Sequence, residues 1–237
     1  MALSRILRRS GIAVVLVGEW IKWRPNTLIQ VGVGKFHQEI DVMLEAWLGL
    51  KVISYEAHPE ICKWIKHDGF PGELNEVAIG RKQGKATLNS KPSHREGSSI
   101  FRFDDQESEP IEVSVDCLDN LWKGKYDTLK RPVLLWLDCE GSEYEALLGG
   151  IEFINHVDAI NIEMTANKPS RLWPDTTIVH DWLIESGFLR QWIHTQRSGQ
   201  YDAIYVRPNI FDETHCCSPE SIKLYRRYRK FHPCEIE

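Results

Sequence analysis

Carboxylates stand directly after a strongly apolar segment in the middle of the chain. Residues 133–137 are all apolar, and Asp138 and Glu140 follow them. Such a segment predicts a buried parallel strand, and open α/β sheets bind their ligands at the carboxyl ends of these strands. Glu163 lies near the end of the next predicted strand, residues 158–164. Because an unpaired carboxylate beside a core is costly, we expect Asp138 and Glu163 to face one cleft and to act in it.

The chemistry that this pair of acids suggests is proton transfer. Neighbouring carboxylates raise each other's pKa, and a carboxyl with a raised pKa suits a general base. We take Asp138 as the first candidate, Glu163 as the second and His94, in a long polar stretch, as the third. Other candidates for the base are Glu140, His37 and His58. We assign no metal ligands, but oxygen-rich sites of this kind also suit a divalent cation, and that alternative stays open.

The first predicted strand, residues 27–33, enters a Gly-x-Gly turn at its end. Gly32 and Gly34 would let a ligand approach the main chain, and the next helix would offer free N–H groups at its start. The third glycine of a dinucleotide loop is missing, because Phe36 and His37 stand in its place. This disfavours a pyrophosphate cofactor and favours a cofactor that needs a less tight loop.

Glu56 and Ala78 extend this candidate cofactor site. Glu56 ends the second predicted strand, 24 residues after Gly32, which is close to the spacing at which a carboxylate binds ribose hydroxyls. The alternative for Glu56 is an acid that is favoured by the dipole of the following helix. Ala78 lies in the third predicted strand, where its small side chain leaves room for a flat purine ring.

The elements that must position these residues alternate between strands and helices, which predicts an α/β fold. The predicted strands are residues 27–33, 51–55, 75–79, 111–115, 133–138, 158–164, 188–194 and 201–207. The predicted helices are residues 35–48, 59–66, 116–122 and 177–186, the last capped by Asp175 or Thr176. A short polar turn joins the last two strands, so we expect a hairpin that closes the sheet edge with an antiparallel strand.

Composition narrows the possible partners and the location. The net charge of −5 disfavours a general nucleic-acid binder. The six cysteines are scattered without the C-x-x-C pairs of a zinc site, which indicates reduced thiols in a cytoplasmic protein. The apolar run at residues 11–18 is far too short to span a bilayer, and no cleavage site follows it. The oligomeric state stays open.

Several segments together resemble the FkbM family of S-adenosylmethionine-dependent methyltransferases, over about residues 27–165. The matching segments are residues 28–32, 52–59, 75–80, 115–121, 137–143 and 160–163. The Asp-x-Glu-Gly-x-Glu pattern that begins at Asp138 is the most specific of them. The chain departs from the family at Gln30, where an acid is common, and in the glycine loop, where only Gly32 aligns clearly.

The resemblance implies a Rossmann-like, seven-stranded methyltransferase sheet, mostly parallel with an antiparallel closing strand and with helices on both faces. It also implies S-adenosylmethionine as cofactor and O-methylation of a hydroxyl on a small-molecule or sugar-like acceptor. On this basis the residues that we assign to the cofactor are Gln30, Gly32, Gly34, Glu56, Ala57, His58, Ala78 and Asp138. The residues that we assign to catalysis are Asp138, Glu163 and His94.

We divide the chain into three parts. Residues 1–26 form an N-terminal extension packed on the core, and residues 27–210 form the methyltransferase domain. Within that domain the polar stretch 80–110 contains two alternating pieces, residues 86–89 and 99–103, which predict an inserted hairpin or flap. Residues 211–237 form a basic, aromatic tail.

Two other functions stay open. A nicotinamide-dependent oxidoreductase is disfavoured by the incomplete glycine loop. A catalytically silent binding protein would keep the fold and use the basic tail to hold an anionic partner. Gln30 and the altered loop favour this second alternative, whereas Glu56, Asp138 and Glu163 favour an enzyme.

Overall fold

A computed structural model describes residues 14, 18, 22–35, 38–102, 107–166, 172–197 and 199–210. The predicted C-terminal tail, residues 211–237, and most of the predicted N-terminal extension, residues 1–26, lie outside this part of the chain. Both therefore remain predictions, as does the division into three parts.

The described strands, in chain order, are β1 (Thr27–Val31), β2 (Lys51–Glu56), β3 (Glu73–Glu76), β4 (Ala78–Ile79), β5 (Gly84–Ser90), β6 (Glu109–Asp116), β7 (Val133–Leu137), β8 (Ala159–Thr165), β9 (Leu189–Arg197) and β10 (Gln200–Val206). Seven of them form one sheet in the order β3-β2-β1-β7-β8-β10-β9. Its strands run parallel except β10, which pairs antiparallel with both β8 and β9. The predicted fold class, including the closing hairpin, is therefore confirmed.

Helices cover both faces of this sheet. They are α1 (Gln38–Ala46), α2 (Pro59–His67), α3 (Leu118–Trp122), α4 (Glu143–Leu148) and α5 (Thr176–Glu185). On one face Met43 of α1 packs in a core with Leu28 of β1. On the other face Leu147 of α4 and Leu183 of α5 pack in a core with Ile29, the next residue of β1. Both faces of β1 are thus buried, which explains its mainly apolar sequence; its two polar residues, Thr27 and Gln30, are buried as well.

The third predicted strand, residues 75–79, serves two different sheets. Residues 75–76 are the end of β3, which pairs with β2 in the main sheet. Residues 78–79 are β4, which pairs with β6 in the small sheet. Val77 lies between them, and its N–H donates to the carbonyl of Asn75 in a tight turn. The chain therefore changes sheet at Val77, immediately before Ala78.

The polar stretch 80–110 contributes to a small sheet in the order β4-β6-β5. Here β5 pairs antiparallel with residues 109–115 of β6, and it meets the described residues of the stretch 99–103 at one bridge, between Asn89 and Ser99. The pairing with β6 has a physical reason. Val113 and Val115 of β6 bury their side chains with Leu88 of β5, and this contact gives the small sheet its own core.

Three further features of the described residues bear on the sequence predictions. The cysteines among them, Cys62, Cys117 and Cys139, are free thiols. No helix in this part of the chain combines the length and the apolar character that crossing a membrane requires. Asp175 caps α5, as predicted, by accepting a hydrogen bond from the N–H of Thr177.

Candidate functional site

The site lies where the carboxyl ends of neighbouring strands meet. Leu137 of β7 is in register with Val31 of β1 on one side and with Ile162 of β8 on the other. The next residues, Asp138 directly after β7 and Glu163 near the end of β8, therefore lie at the same edge of the sheet. This confirms the expectation that the two acids are neighbours, and it places the glycine loop after β1 beside them.

Gly32 brings the glycine loop into contact with the end of β7. Its φ angle is +80°, and a Cβ atom on Gly32 would lie 1.7 Å from the carbonyl oxygen of Asp138. On the neighbouring residues, the N–H of Asp138 donates to the carbonyl of Val31 at 2.9 Å. Only glycine fits this conformation and this separation. The close packing of the ends of β1 and β7 therefore requires glycine at position 32, in addition to any need to leave room for a ligand.

Glu56 holds the glycine loop through its carboxylate. Oε2 accepts hydrogen bonds from the N–H groups of Val33 at 3.0 Å and Gly34 at 3.2 Å. Oε1 accepts from the N–H of His58 at 2.8 Å. Glu56 also lines a cavity, so the loop contacts and a ligand role share one side chain. Replacing Glu56 would consequently disturb the loop together with any ligand contact.

The first cavity is mainly apolar, and we call it the apolar cavity. Its wall includes Tyr55, Glu56, Ala57, Val77, Ala78, Ile79, Leu88 and Ile100. Both Ala57 and Ala78 therefore lie where the sequence places a cofactor. Arg95, Glu96 and Ser98 form another part of the wall, so the polar stretch 80–110 reaches the site.

The second cavity is polar, has a volume of about 210 Å³, and is called the acidic cavity below. Its wall includes Gln30, Val33, Lys35, Glu39, Trp136, Glu163 and Gln200. Residues that line both cavities are Gly32, Gly34, Glu96, Asp138 and Glu140. The two cavities therefore adjoin along the glycine loop and the end of β7, and they form one groove with an apolar part and an acidic part.

Three acids gather in the acidic cavity. Carboxylate oxygens of Asp138, Glu140 and Glu163 all lie within 4.8 Å of one another. Burial, with the charge of Glu163, raises the pKa of Asp138 well above its usual range. Burial, with the charge of Glu140, does the same to the pKa of Glu163. A set of acids at this spacing is suited either to sharing a proton or to holding a divalent cation.

The segment after β7 contains two acids with different contacts, the buried Glu143 and the half-buried Glu140. Glu143, at the start of α4, is buried and accepts hydrogen bonds from the N–H groups of Cys139 at 2.8 Å and Gly141 at 3.0 Å. It therefore closes the turn that carries Glu140. The φ angle of Glu140 is +54°, and its carbonyl accepts a hydrogen bond from Ser99 Oγ at 2.6 Å.

Two of the predicted histidines point elsewhere. His58 is buried; its Nδ1 accepts from the N–H of Glu60 as the cap of α2, and its Nε2 therefore donates to Ser90 Oγ at 3.0 Å. Burial lowers the pKa of His58. The side chain of His94 is 59% exposed and lies 3.4 Å from Glu96. Neither histidine is among the residues that line the two cavities. His37 lies outside the described residues.

Gln30, which the sequence analysis assigns to the cofactor, already has a hydrogen-bond partner. It is buried, lines the acidic cavity, and accepts a hydrogen bond from Ser54 Oγ at 3.1 Å through Oε1. It brings no charge to the cavity. Lys35 and Glu39, which the sequence reasoning missed, line the same wall. Their opposite charges directly after the glycine pair were the available signal, but charges at a helix start usually indicate a solvated first turn.

The chain is similar to one family of known proteins and, more distantly, to solved methyltransferase structures. The sequence model of the family described as the methyltransferase FkbM domain matches residues 26–190. A search of curated proteins found no match. An O-methyltransferase from Bacillus cereus, solved with S-adenosylhomocysteine, is 8% identical over 83% of this chain and 80% of its own, with a TM-score of 0.48. A SAM-dependent methyltransferase from Aquifex aeolicus is 11% identical over 85% and 92%, with a TM-score of 0.42.

Proposed function

The chain belongs to the FkbM methyltransferase family, and from this premise we propose that it transfers a methyl group from S-adenosylmethionine to a hydroxyl of a small-molecule or glycan acceptor. One observation carries the proposal: an apolar cavity and an acidic cavity adjoin at Gly32, Gly34 and Asp138. S-adenosylmethionine has a related division, with a purine at one end and, beyond the ribose, a positively charged sulfonium followed by an amino-acid group.

The residues of the groove fit this cofactor. The apolar cavity, with Ala78 and Ile79 in its wall, suits a flat purine, because ligand sites are mostly apolar with a few placed polar groups. Glu56 lines the apolar cavity and accepts a hydrogen bond from the N–H of Gly34, which lines both cavities. At this place Glu56 would also accept hydrogen bonds from ribose hydroxyls. Asp138 and Glu163 place negative charge in the acidic cavity, where an ammonium and a sulfonium would bind. Gln30 contributes only a polar contact.

When bound, S-adenosylmethionine supplies a methyl group activated by its positively charged sulfur. The protein has to align an acceptor oxygen with that group and remove the hydroxyl proton. We assign proton removal to Asp138 and Glu163, because a coupled pair of acids can hold one proton and leave one carboxylate free to accept another. Burial and the neighbouring acids raise the pKa of both groups, which makes each carboxylate a stronger base than an ordinary one.

The proposal no longer includes His58 or His94. The side chain of His58 caps α2 and forms a hydrogen bond with Ser90 of β5. The side chain of His94 is exposed to solvent. The acceptor would enter beside Glu163, which lines the acidic cavity and also a small adjoining pocket with Trp173 in its wall. Trp173 is buried against Gly141, so it is a packing residue rather than an open platform for a sugar. A cytoplasmic location remains a prediction.

Calorimetric titration of the purified protein with S-adenosylmethionine, S-adenosylhomocysteine and NAD tests the proposal. We expect micromolar binding of the first two ligands and none of NAD. Preferential binding of NAD would indicate an oxidoreductase. Failure of a well-folded protein to bind any of the three would favour the silent binding protein, whose basic tail lies outside the described residues.

A further inference from the structure

We propose that Asp202 and His194 are positioning residues for Glu163, and that they set the pH at which Asp138 and Glu163 give up the proton that they share. Asp138 and Glu163 are called the acid pair below. The inference rests on the proposed function and adds two residues of the closing hairpin that the sequence alone did not suggest. Neither residue is among those that line the two cavities, so both would act through Glu163.

Strand pairing places three titratable side chains in one row across the sheet. Glu163 of β8 lies opposite Asp202 of β10, and Asp202 lies opposite His194 of β9. Directly opposite residues share one face of a sheet, so this row leads from the acidic cavity to the edge strand β9. Nδ1 of His194 lies 3.6 Å from Oδ2 of Asp202. Glu163, Asp202 and His194 are called the cross-sheet row below.

The cross-sheet row is largely closed to solvent. Asp202 is 1% exposed and Glu163 is 7% exposed, and 14% of the side chain of His194 is exposed. A buried carboxylate is costly unless a positive charge compensates it. A protonated His194 supplies such a charge at the outer end of the row, because histidine gains its charge near neutral pH. Two buried acids are therefore followed by one base.

Several charged groups face the acid pair from the surrounding elements. Burial raises the pKa of both acids, and the charges of Glu140, Glu143 and Asp202 raise it further. Lys35 and Glu39 bring opposite charges to the wall of the acidic cavity. Asp202 differs from these groups because it acts from the neighbouring strand and has a base on its far side. The protonation of His194 can therefore change how strongly Asp202 acts on the acid pair.

The opposite face of the hairpin has a separate set of polar contacts. Arg190 of β9 forms a hydrogen bond with Tyr205 of β10, which also bonds to His180 of α5. Tyr205 belongs to the core that α5 covers, whereas Trp192 and Ile204 belong to the core on the face of α1. Arg190 and His180 consequently lie across the sheet from the cross-sheet row.

Proton release on cofactor binding tests the proposal without an acceptor. The sulfonium of S-adenosylmethionine brings a positive charge that S-adenosylhomocysteine lacks. Its binding favours the ionised form of nearby acids and should expel the shared proton. Calorimetry of the whole protein in phosphate and in Tris gives the number of protons released by each ligand at each pH. We expect more release with S-adenosylmethionine, and the midpoint pH of the excess reports the acid pair.

Variants at the two positions should move this midpoint in opposite directions. Asp202→Asn removes a negative charge one strand away, about 5 Å, and should lower the midpoint by at least about 0.5 pH unit. His194→Gln removes a positive charge two strands away, about 10 Å, and should raise the midpoint by at least about 0.3 pH unit. A purely structural role would change stability or affinity without opposite shifts of the midpoint.

Matched controls carry the same substitutions on α5. Asp181→Asn changes an exposed acid and His180→Gln changes the histidine beside Tyr205; neither should move the midpoint. Unmoved midpoints in both row variants, shifts in one direction, or equal proton release by the two ligands would overturn the inference and leave the proposed function intact. If Asp202→Asn did not fold, the shift in His194→Gln alone would decide. A wild-type protein that binds neither ligand would refute the proposed function itself.

Discussion

Replacing Gly32 by alanine should destabilise the protein far more than the same change at Gly49. Both glycines have a left-handed backbone, with φ angles of +80° and +84°. A Cβ atom on Gly49 would meet nothing within 4 Å, whereas one on Gly32 would lie 1.7 Å from the carbonyl oxygen of Asp138. Gly49→Ala therefore reports the backbone cost alone, and the difference between the two variants reports the contact between β1 and β7.

The expected magnitudes follow from these contacts. At Gly49, alanine in a left-handed conformation costs about 1–2 kcal/mol. At Gly32, the oxygen of Asp138 must also retreat by about 1.3 Å to reach the shortest separation of 3.0 Å that real Cβ atoms show. That movement breaks the hydrogen bond from Asp138 to Val31 and disturbs those from the glycine loop to Glu56, which raises the total cost to about 4–6 kcal/mol.

Thermal and urea unfolding of the two variants beside the wild type would measure this difference. For a chain of this length we expect Tm to fall by about 10–20 °C for Gly32→Ala and by about 2–6 °C for Gly49→Ala. Only Gly32→Ala should also lose binding of S-adenosylhomocysteine at a temperature where it is still folded. Equal losses of stability in the two variants would refute the close contact between the glycine loop and the end of β7.

Three other predictions follow from single side chains. Burial lowers the pKa of His58, so below about pH 6.5 the unfolded chain takes up a proton that the folded chain resists. Between pH 7.5 and 5.5 the wild type should therefore lose more stability than His58→Asn, a variant that keeps a helix cap. Similar losses would contradict a neutral, buried His58. Burial raises the pKa of Glu163, so the folded protein loses stability as the pH rises from the ordinary pKa of a glutamate towards the folded-state pKa. Glu163→Gln should therefore raise Tm at pH 8 but not at pH 4. A lower Tm of the variant at pH 8 would contradict this reasoning. Ala78→Leu should fill the apolar cavity and weaken binding of S-adenosylhomocysteine at least about tenfold. Thr87→Leu, at an exposed position of β5, should leave that binding unchanged. Unchanged binding in Ala78→Leu would exclude the purine from the apolar cavity.

The main sheet and the central pair of acids were predictable because they depend on general properties of parallel sheets. Strands buried on both faces have continuous apolar sequences, as in residues 133–137, and their carboxyl ends meet at one edge. These two facts suffice to bring Asp138 and Glu163 together without knowledge of the loops.

Side-chain partners were less predictable, since they depend on contacts between distant segments. Spacing placed Glu56 correctly at the end of β2, but it could not show that both oxygens already bind N–H groups. The assignment of His58 failed for a similar reason: its partner Ser90 stands on β5, which packs there only after the chain has changed sheet at Val77. A strand in the main sheet and a strand in the small sheet can have the same alternation of apolar and polar residues. The sequence alone could therefore not show that the chain leaves the main sheet at Val77.

A crystal structure of the protein with S-adenosylhomocysteine would test the central claim most directly. The account predicts the purine in the apolar cavity beside Ala78, the ribose hydroxyls at Glu56, and the sulfur near Asp138 in the acidic cavity. A ligand bound outside this groove, or a groove that stays empty at saturating concentrations of the ligand, would contradict the account.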